Sequence, residues 1–414
     1  MNRMSDSAHY GDSHIFDTVA DSKEVVRREE RLEQMRSAVE ISREAVKAVS
    51  ITAIDLLKEI PAFMAGLNFE SKLVNPFAHI EAPIWEEETV PTEMIDAAYA
   101  YCELLTRKEA GNFYHSFKYL PDNQRKAMCA YYAFCRRADD IADGDYVDIF
   151  PGSDGAEDPE AMEYRLSLEE LTGDKSVLDA PTYRDKLAQL FFYRKKLSTA
   201  YDSHSSTDPI FMALKDAVAR FDVPRELLDD LISGMEDDLY TNRYRTFDDL
   251  YRYCFRVAST VGLVCIEIYD YDNPKANEYA EAWGIFMQLT NILRDVAEDA
   301  SRNRVYLPLD DLERHGIKAN ELSTDLSNDK RWHAFVTEFI ERVETYHGKA
   351  LKLLPLLNRK ARYSPAAMMA FYASILKKIK KREGNIFHGQ IKLSKAEKIT
   401  LAAVVYTKQR FLRL

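Results

Sequence analysis

The side chains best suited to chemistry lie in two acidic stretches. The first, YYAFCRRADDIADGD, runs from Tyr131 to Asp145. On a helix, Asp139 and Asp143 project from one face, with Asp140 beside them and Arg136 one turn earlier. Like charges at this spacing oppose helix stability, and the pair continues an aromatic, core-like run. Cation binding and a solvated acidic helix end are the two readings this stretch alone leaves open. The second, QLTNILRDVAEDASRNRVYLP, runs from Gln288 to Pro308. Gln288, Asn291, Asp295 and Asp299 recur at three- and four-residue intervals, so two amides and two carboxylates share one stripe. Leu289, Ile292, Leu293 and Val296 occupy the other face, and Glu298 borders the stripe. A polar ladder through apolar text costs free energy unless its groups are partnered. Oxygen ligands of this kind suit Mg²⁺, which bridges a few carboxylates to phosphate oxygens. Arg294, Arg302 and Arg304 add guanidinium groups suited to phosphate. A buried polar network that only fixes helix register is the plainer alternative.

Together the two stretches are more specific than either alone. Mg²⁺ held between two acidic faces would bind a diphosphate and stabilise the charge that leaves when a C–O bond ionises. The carbocation left behind needs a dry, electron-rich pocket. Tyr131, Tyr132, Phe134, Tyr253, Phe255, Phe113 and Phe117 carry aromatic faces; Tyr132 and Tyr253 are expected near the reaction, the others in packing.

The elements that must position these groups read as helix after helix, with only 14 glycines in 414 residues and few alternating runs. A charged and then apolar helical pattern covers Ser22–Leu67, after a polar start. Pro76, Pro83 and Pro91 mark a linker, and a long helical series begins near Thr92. Residues 144–163 are rich in Gly, Pro and Asp and read as a loop insertion. Helical periodicity resumes from Tyr164 to about Tyr269, a further helix covers Asn273–Ala300, and Trp332–Leu414 is helical with a break around Glu383–Gln390. The division expected is an N-terminal extension, 1–95, and a catalytic domain, 96–414.

Net charge is −12, which argues against a nucleic-acid partner and means that an anionic substrate must be recruited by metal or local Arg and Lys. The five cysteines form no CxxC pair and read as reduced thiols of a cytoplasmic protein. No apolar run approaches the roughly 18 residues of a membrane span, and the N-terminus lacks the apolar core of a signal peptide.

RRADDIAD, YCFRVASTVG and above all QLTNILRDVAEDASRNRVYLP resemble the squalene/phytoene synthase family, from about Thr106 to the C-terminus. The resemblance implies an all-α isoprenoid-synthase bundle around a central cavity, here with an N-terminal helical extension. It implies head-to-head joining of two prenyl diphosphates through a cyclopropylcarbinyl diphosphate. Asp139, Asp143, Asp295 and Asp299 match the metal-binding acids, with Asn291 and Glu298 supporting the second cluster. Arg136, Gln288, Arg294, Arg304 and Tyr372 match positions that line the diphosphate or intermediate site, and Tyr132 and Tyr253 match aromatic positions near the reacting carbons. Mg²⁺ is the expected cation, with Mn²⁺ as a substitute.

RVYLP after the second motif favours the phytoene-type reaction on two geranylgeranyl diphosphates. The alternative is presqualene diphosphate, squalene or dehydrosqualene formation from two farnesyl diphosphates. NADPH is not expected, although the missing Gly-rich loop decides little. A cyclase using one substrate molecule and an inactive helical scaffold are the competing readings. Three departures bear on them: Glu109-Ala110-Gly111-Asn112 stands where relatives carry Ser or Thr with basic residues, His388-Gly389-Gln390 replaces a late Arg with Lys392 as a stand-in, and Ser259 replaces a usual Gly. Cys129 stands where many relatives carry Trp. The N-terminal residues are expected to form a helical pair packed on the core, with membrane contact by Ile51–Leu67 as the sharper alternative. Residue patterns leave the oligomeric state open.

Overall fold

A computed structural model describes residues 90–110, 114, 116–144, 181–202, 206 and 208–411. These residues belong to one unit, Ser71–Leu414. The expected extension at 1–95 lies outside them except for its last residues, as does the 144–163 loop except for Gly144.

Every extended element among the described residues is helical, as expected. The first half comprises α1 (Thr92–Glu109), α2 (Asp122–Asp143), α3 (Pro181–Ser198), α4 (Pro209–Phe221) and α5 (Arg225–Tyr240). Helix α6 (Phe247–Cys254) passes through a π-helical turn, Phe255–Ser259, into α7 (Thr260–Tyr269). The long α8 (Lys275–Ser301) is followed by α9 (Leu309–Arg314), α10 (Lys330–Ala350), α11 (Tyr363–Lys381) and α12 (Lys395–Phe411). Helix α8 matches the Asn273–Ala300 expectation within two residues at each end. The continuous pattern read from Tyr164 to Tyr269 is in fact broken several times. Asp208 caps α4 by accepting from the Ile210 N–H, with Pro209 at the first helical position. Asp222 closes that helix in the left-handed region at φ 50°. Thr246 and Asp249 form a capping box that starts α6. A further break after α10 contains the 3-10 turn Leu354–Leu356, where Pro355 ends the helical pattern.

Two packing groups meet in the core. Helix α2 lies against α1, α3, α4, α5 and α7, while α8 lies against the π turn, α6, α7, α10 and α11. Helices α5 and α7 pack together, and α7 touches both α2 and α8. Around α2 the contacts are aromatic: Phe134 stacks on Tyr193, and Phe211 meets both edge-on, with centroids 5.0–6.2 Å apart. Near α10, Trp332, Phe335 and Phe339 form a second buried row. The approach of α8 to the π turn is close enough to require glycine. A Cβ on Gly284 would lie 2.5 Å from the Ala258 carbonyl and the Ser259 Cα. Ser259 is fully buried, and its hydroxyl donates to the Glu281 carbonyl at 2.9 Å. That bond accommodates the residue that departs from the usual glycine.

Candidate active site

The two acid motifs occupy the C-terminal ends of α2 and α8. Helix α2 ends at Gly144, whose φ of 84° is a left-handed cap. Asp143 is exposed beside it, and Asp139 and Asp140 are half-buried one turn back. Arg136 reaches both, at 3.4 Å from Asp139 and 2.5 Å from Asp140. Burial, opposed by Arg136, leaves the Asp140 carboxyl above its ordinary range. Tyr132 is half-buried on the same helix, within electrostatic range of Arg136, Asp139 and Glu109. Glu109, one of the departures noted in the sequence, thus adds negative charge beside the first motif.

On α8 the stripe forms as its spacing predicts. The Asn291 amide donates to Gln288 Oε1 at 3.3 Å and is hydrogen-bonded to the Tyr372 phenol of α11. Arg294 grips the neighbouring Asp295 with two hydrogen bonds, 2.7 and 2.5 Å. Glu298 is exposed and pairs with Arg302 at 2.9 Å, on the border of the stripe. Asp299 is half-buried, and burial next to Asp295 pushes its carboxyl up to about 7 despite Arg304 nearby.

Arg304 relates the two motifs. Its guanidinium lies in the fields of Asp143 on α2 and Asp238 on α5, and it lowers the carboxyl of Asp299 on α8. Its backbone N–H donates to the Asp299 carbonyl at 2.8 Å, following the Arg302–Asn303 turn. The following RVYLP strip is tied to the chain after α5: the Val305 N–H donates to Asn242 O at 2.9 Å and Leu309 N–H to Tyr244 O at 3.0 Å. Arg243 braces the turn by donating to Asn303 O and Oδ1 at 2.6 and 2.8 Å.

Tyr253 is buried on α6, where its hydroxyl donates to Asp238 at 3.0 Å. Tyr244 and Tyr306 pack around it, with centroids 5.1–5.8 Å apart. Sequence reasoning missed Asp238, Tyr244 and Tyr306. Asp238 lies in the last turn of a helix that also carries Asp229, Asp230, Glu236 and Asp237, so it reads like an ordinary solvated end, and its phenol partners lie further along the chain. Among the other aromatic candidates, Tyr131, Phe134 and Phe117 are core side chains. Phe113 lies outside the described residues, as do Gly111 and Asn112.

The donors fit a hard dication held jointly with a substrate phosphate. Among the described residues no three of His, Cys, Asp and Glu gather tightly enough to hold a metal by themselves. However, the buried Asn291 Oδ1 has no hydrogen-bond partner, and Asp299 resists ionising beside Asp295. Both oxygens would gain from a nearby cation. Mg²⁺ takes one or two carboxylates and completes its shell with water and phosphate, so an open carboxylate–amide set is the right type.

Comparison with known proteins bears on the family and the fold. The squalene/phytoene synthase family model matches residues 106–397. A phytoene synthase from Mycobacterium bovis is 33% identical over 311 residues, covering 75% of this chain and 90% of the relative. The 15-cis-phytoene synthase of Synechocystis sp. is 29% identical over 349 residues, 81% of this chain and 93% of the relative. A dehydrosqualene synthase crystal structure superposes with TM-score 0.62 at 25% identity, covering 78% of this chain and 99% of its own. A squalene synthase from Alicyclobacillus acidocaldarius shares the fold, with TM-score 0.58 at 23% identity over 72% of this chain and 97% of its own. The chain belongs to the squalene/phytoene synthase family.

Proposed function

We propose that this protein condenses two geranylgeranyl diphosphates head to head into phytoene, through a cyclopropylcarbinyl diphosphate. It is a prenyltransferase-type enzyme. The observation that carries the reading is the placement of Arg304 within the fields of acids from both motifs, in a family whose listed relatives include phytoene synthases. Asp139 and Asp143 on one side, and Asn291, Asp295 and Asp299 on the other, would hold Mg²⁺. The bound cation would supply Lewis-acid stabilisation of the departing diphosphate.

The chain's own residues do the rest. Arg136, Arg294 and Arg304 present guanidinium groups to diphosphate oxygens, exchanging their acidic partners for the substrate. Gln288 and Tyr372 fix the Asn291 amide. Tyr132 and Tyr253 would face the developing cation with electron-rich rings. Formation of the cyclopropane releases one diphosphate and one proton, and the rearrangement to phytoene releases a second of each. Two farnesyl diphosphates giving a C30 product is the second reading, which the dehydrosqualene synthase likeness favours.

Purified protein incubated with Mg²⁺ and either C15 or C20 diphosphate, with and without NADPH, tests this directly. Mass spectrometry should find a C40 hydrocarbon from the C20 substrate, independent of NADPH. A C30 product formed only from the C15 substrate would move the assignment to the second reading. A product with the carbon count of one substrate would replace both by a cyclase.

A further inference from the structure

Asp238 lies outside the motifs quoted above, yet it shares the field of Arg304 with Asp143 and Asp299. One of its oxygens accepts from the Tyr253 hydroxyl at 3.0 Å, and the other from the Tyr306 hydroxyl at 2.9 Å. The rings of those two tyrosines are stacked 5.1 Å apart at 23°. Behind them Tyr244 closes the group, 5.2 Å from Tyr253 and 5.8 Å from Tyr306. The charged and titratable groups that face Asp238 are Arg304 and Tyr306 after α8, Tyr253 and Cys254 on α6, Tyr244, and Asp237 on its own helix. Arg304 is the sole cation among these. A polar cavity of about 80 Å³ lies against Asp238, Asn242 and Arg304 and reaches the exposed Arg302 and Asn303.

We propose that Asp238 is a positioning residue for the reaction: it takes both phenol hydrogens, sets Tyr253 and Tyr306 as one electron-rich wall, and joins that wall to the acid pairs through Arg304. The inference rests on the prenyl-transfer reading above. A phenol that donates to a carboxylate carries more electron density on its ring than one that donates to water or an amide, so the wall stabilises a cation better while the carboxylate is ionised. Burial pushes the Asp238 carboxyl up to about 6, against the pull of both phenols and Arg304, so the ionised form depends on those partners. An asparagine here keeps the shape but offers one acceptor oxygen and an NH₂ group. One phenol then loses its carboxylate acceptor and can only accept from the amide.

Kinetics of Asp238→Asn, of Tyr253→Phe/Tyr306→Phe, and of the triple variant test this with whichever prenyl diphosphate the wild type consumes. Asp238→Asn should lower kcat at least about tenfold, with KM for the substrate and the Mg²⁺ requirement unchanged. In the phenylalanine background the same substitution should cost less than about twofold, because the groups it acts through are gone. An unchanged kcat, or an equal loss in both backgrounds, would overturn the proposal. If Asp238→Asn does not fold, the single phenylalanine variants decide. Their losses should combine to less than their product, and independent multiplication would overturn the idea. A readout free of turnover is NMR of ¹³C-labelled tyrosine. The Tyr253 and Tyr306 Cζ resonances should move together as pH is lowered through about 6 and stand still in Asp238→Asn. Wild type inert towards every prenyl diphosphate would defeat the assigned reaction, while the NMR result would still decide whether one carboxylate holds both phenols.

Discussion

Two acidic side chains that look alike in sequence sit in different fields. Asp143 is exposed at the end of α2. Asp299 is half-buried beside Asp295, and its carboxyl rises to about 7. A carboxyl whose folded value lies above its unfolded value gives stability that is present below about pH 4 and lost as pH rises through about 7. Asp299→Asn should therefore melt higher than wild type at pH 8, by on the order of 2 kcal/mol, with the gain shrinking as pH falls towards 4. Thermal unfolding followed by circular dichroism measures this, and equal stabilities across that range would refute the electrostatic picture. The same variant should lose at least about a hundredfold in kcat. In the wild type, Mg²⁺ affinity should weaken below about pH 7, because the proton on Asp299 competes with the cation; titration calorimetry at several pH values would detect it. The spacing of Asp139, Asp143, Asp295 and Asp299 made both acid faces legible, since helical periodicity is a local property. Asp238 was not legible, because its meaning comes from phenols 15 and 68 residues further on.

Among the elements, α8 was the clearest in the sequence. Its polar stripe was read over Gln288–Asp299, and the observed helix of 27 residues departs little from the Asn273–Ala300 expectation. The π turn at Phe255–Ser259 left no periodic mark. It exists where α8 comes within backbone contact, a tertiary cause that no local pattern records. Gly284→Ala should accordingly destabilise the fold by about 2–4 kcal/mol, since the atoms a Cβ would meet belong to the backbone and cannot swing aside. Ser259→Ala should cost only about 1 kcal/mol, the value of one buried hydrogen bond. Urea unfolding of the two variants separates these outcomes, and a Gly284→Ala loss below that of Ser259→Ala would contradict the packing argument. The breaks at α4 and α6 had their own signals in Asp208-Pro209 and Thr246. Strong helical text on either side obscured them.

At the scale of the whole molecule, a net charge of −12 is no obstacle to binding a diphosphate if cations stand at the point of contact. On the proposed reaction Arg136 and Arg294, already paired with acids that a metal ion would relieve, and Arg304, in the fields of three more, would serve there. No described helix is long and apolar enough to cross a membrane. Exposed Ile399 and Tyr406, seven residues apart, lie on one side of α12. A Mg²⁺–diphosphate analogue at a hundredfold excess over its Kd should stabilise the fold by about 2.7 kcal/mol, and Asp139→Ala or Asp295→Ala should erase that gain.

On the proposed reaction, acids from α2 and α8 serve one centre that consumes two allylic diphosphates. The most direct measurement is the ratio of inorganic diphosphate released to hydrocarbon formed from geranylgeranyl diphosphate and Mg²⁺, in wild type and in Asp143→Ala and Asp299→Ala. Two diphosphates per C40 molecule are expected in the wild type, and loss of both products in each variant. One diphosphate per C20 hydrocarbon, or full turnover after removal of either acid, would contradict it.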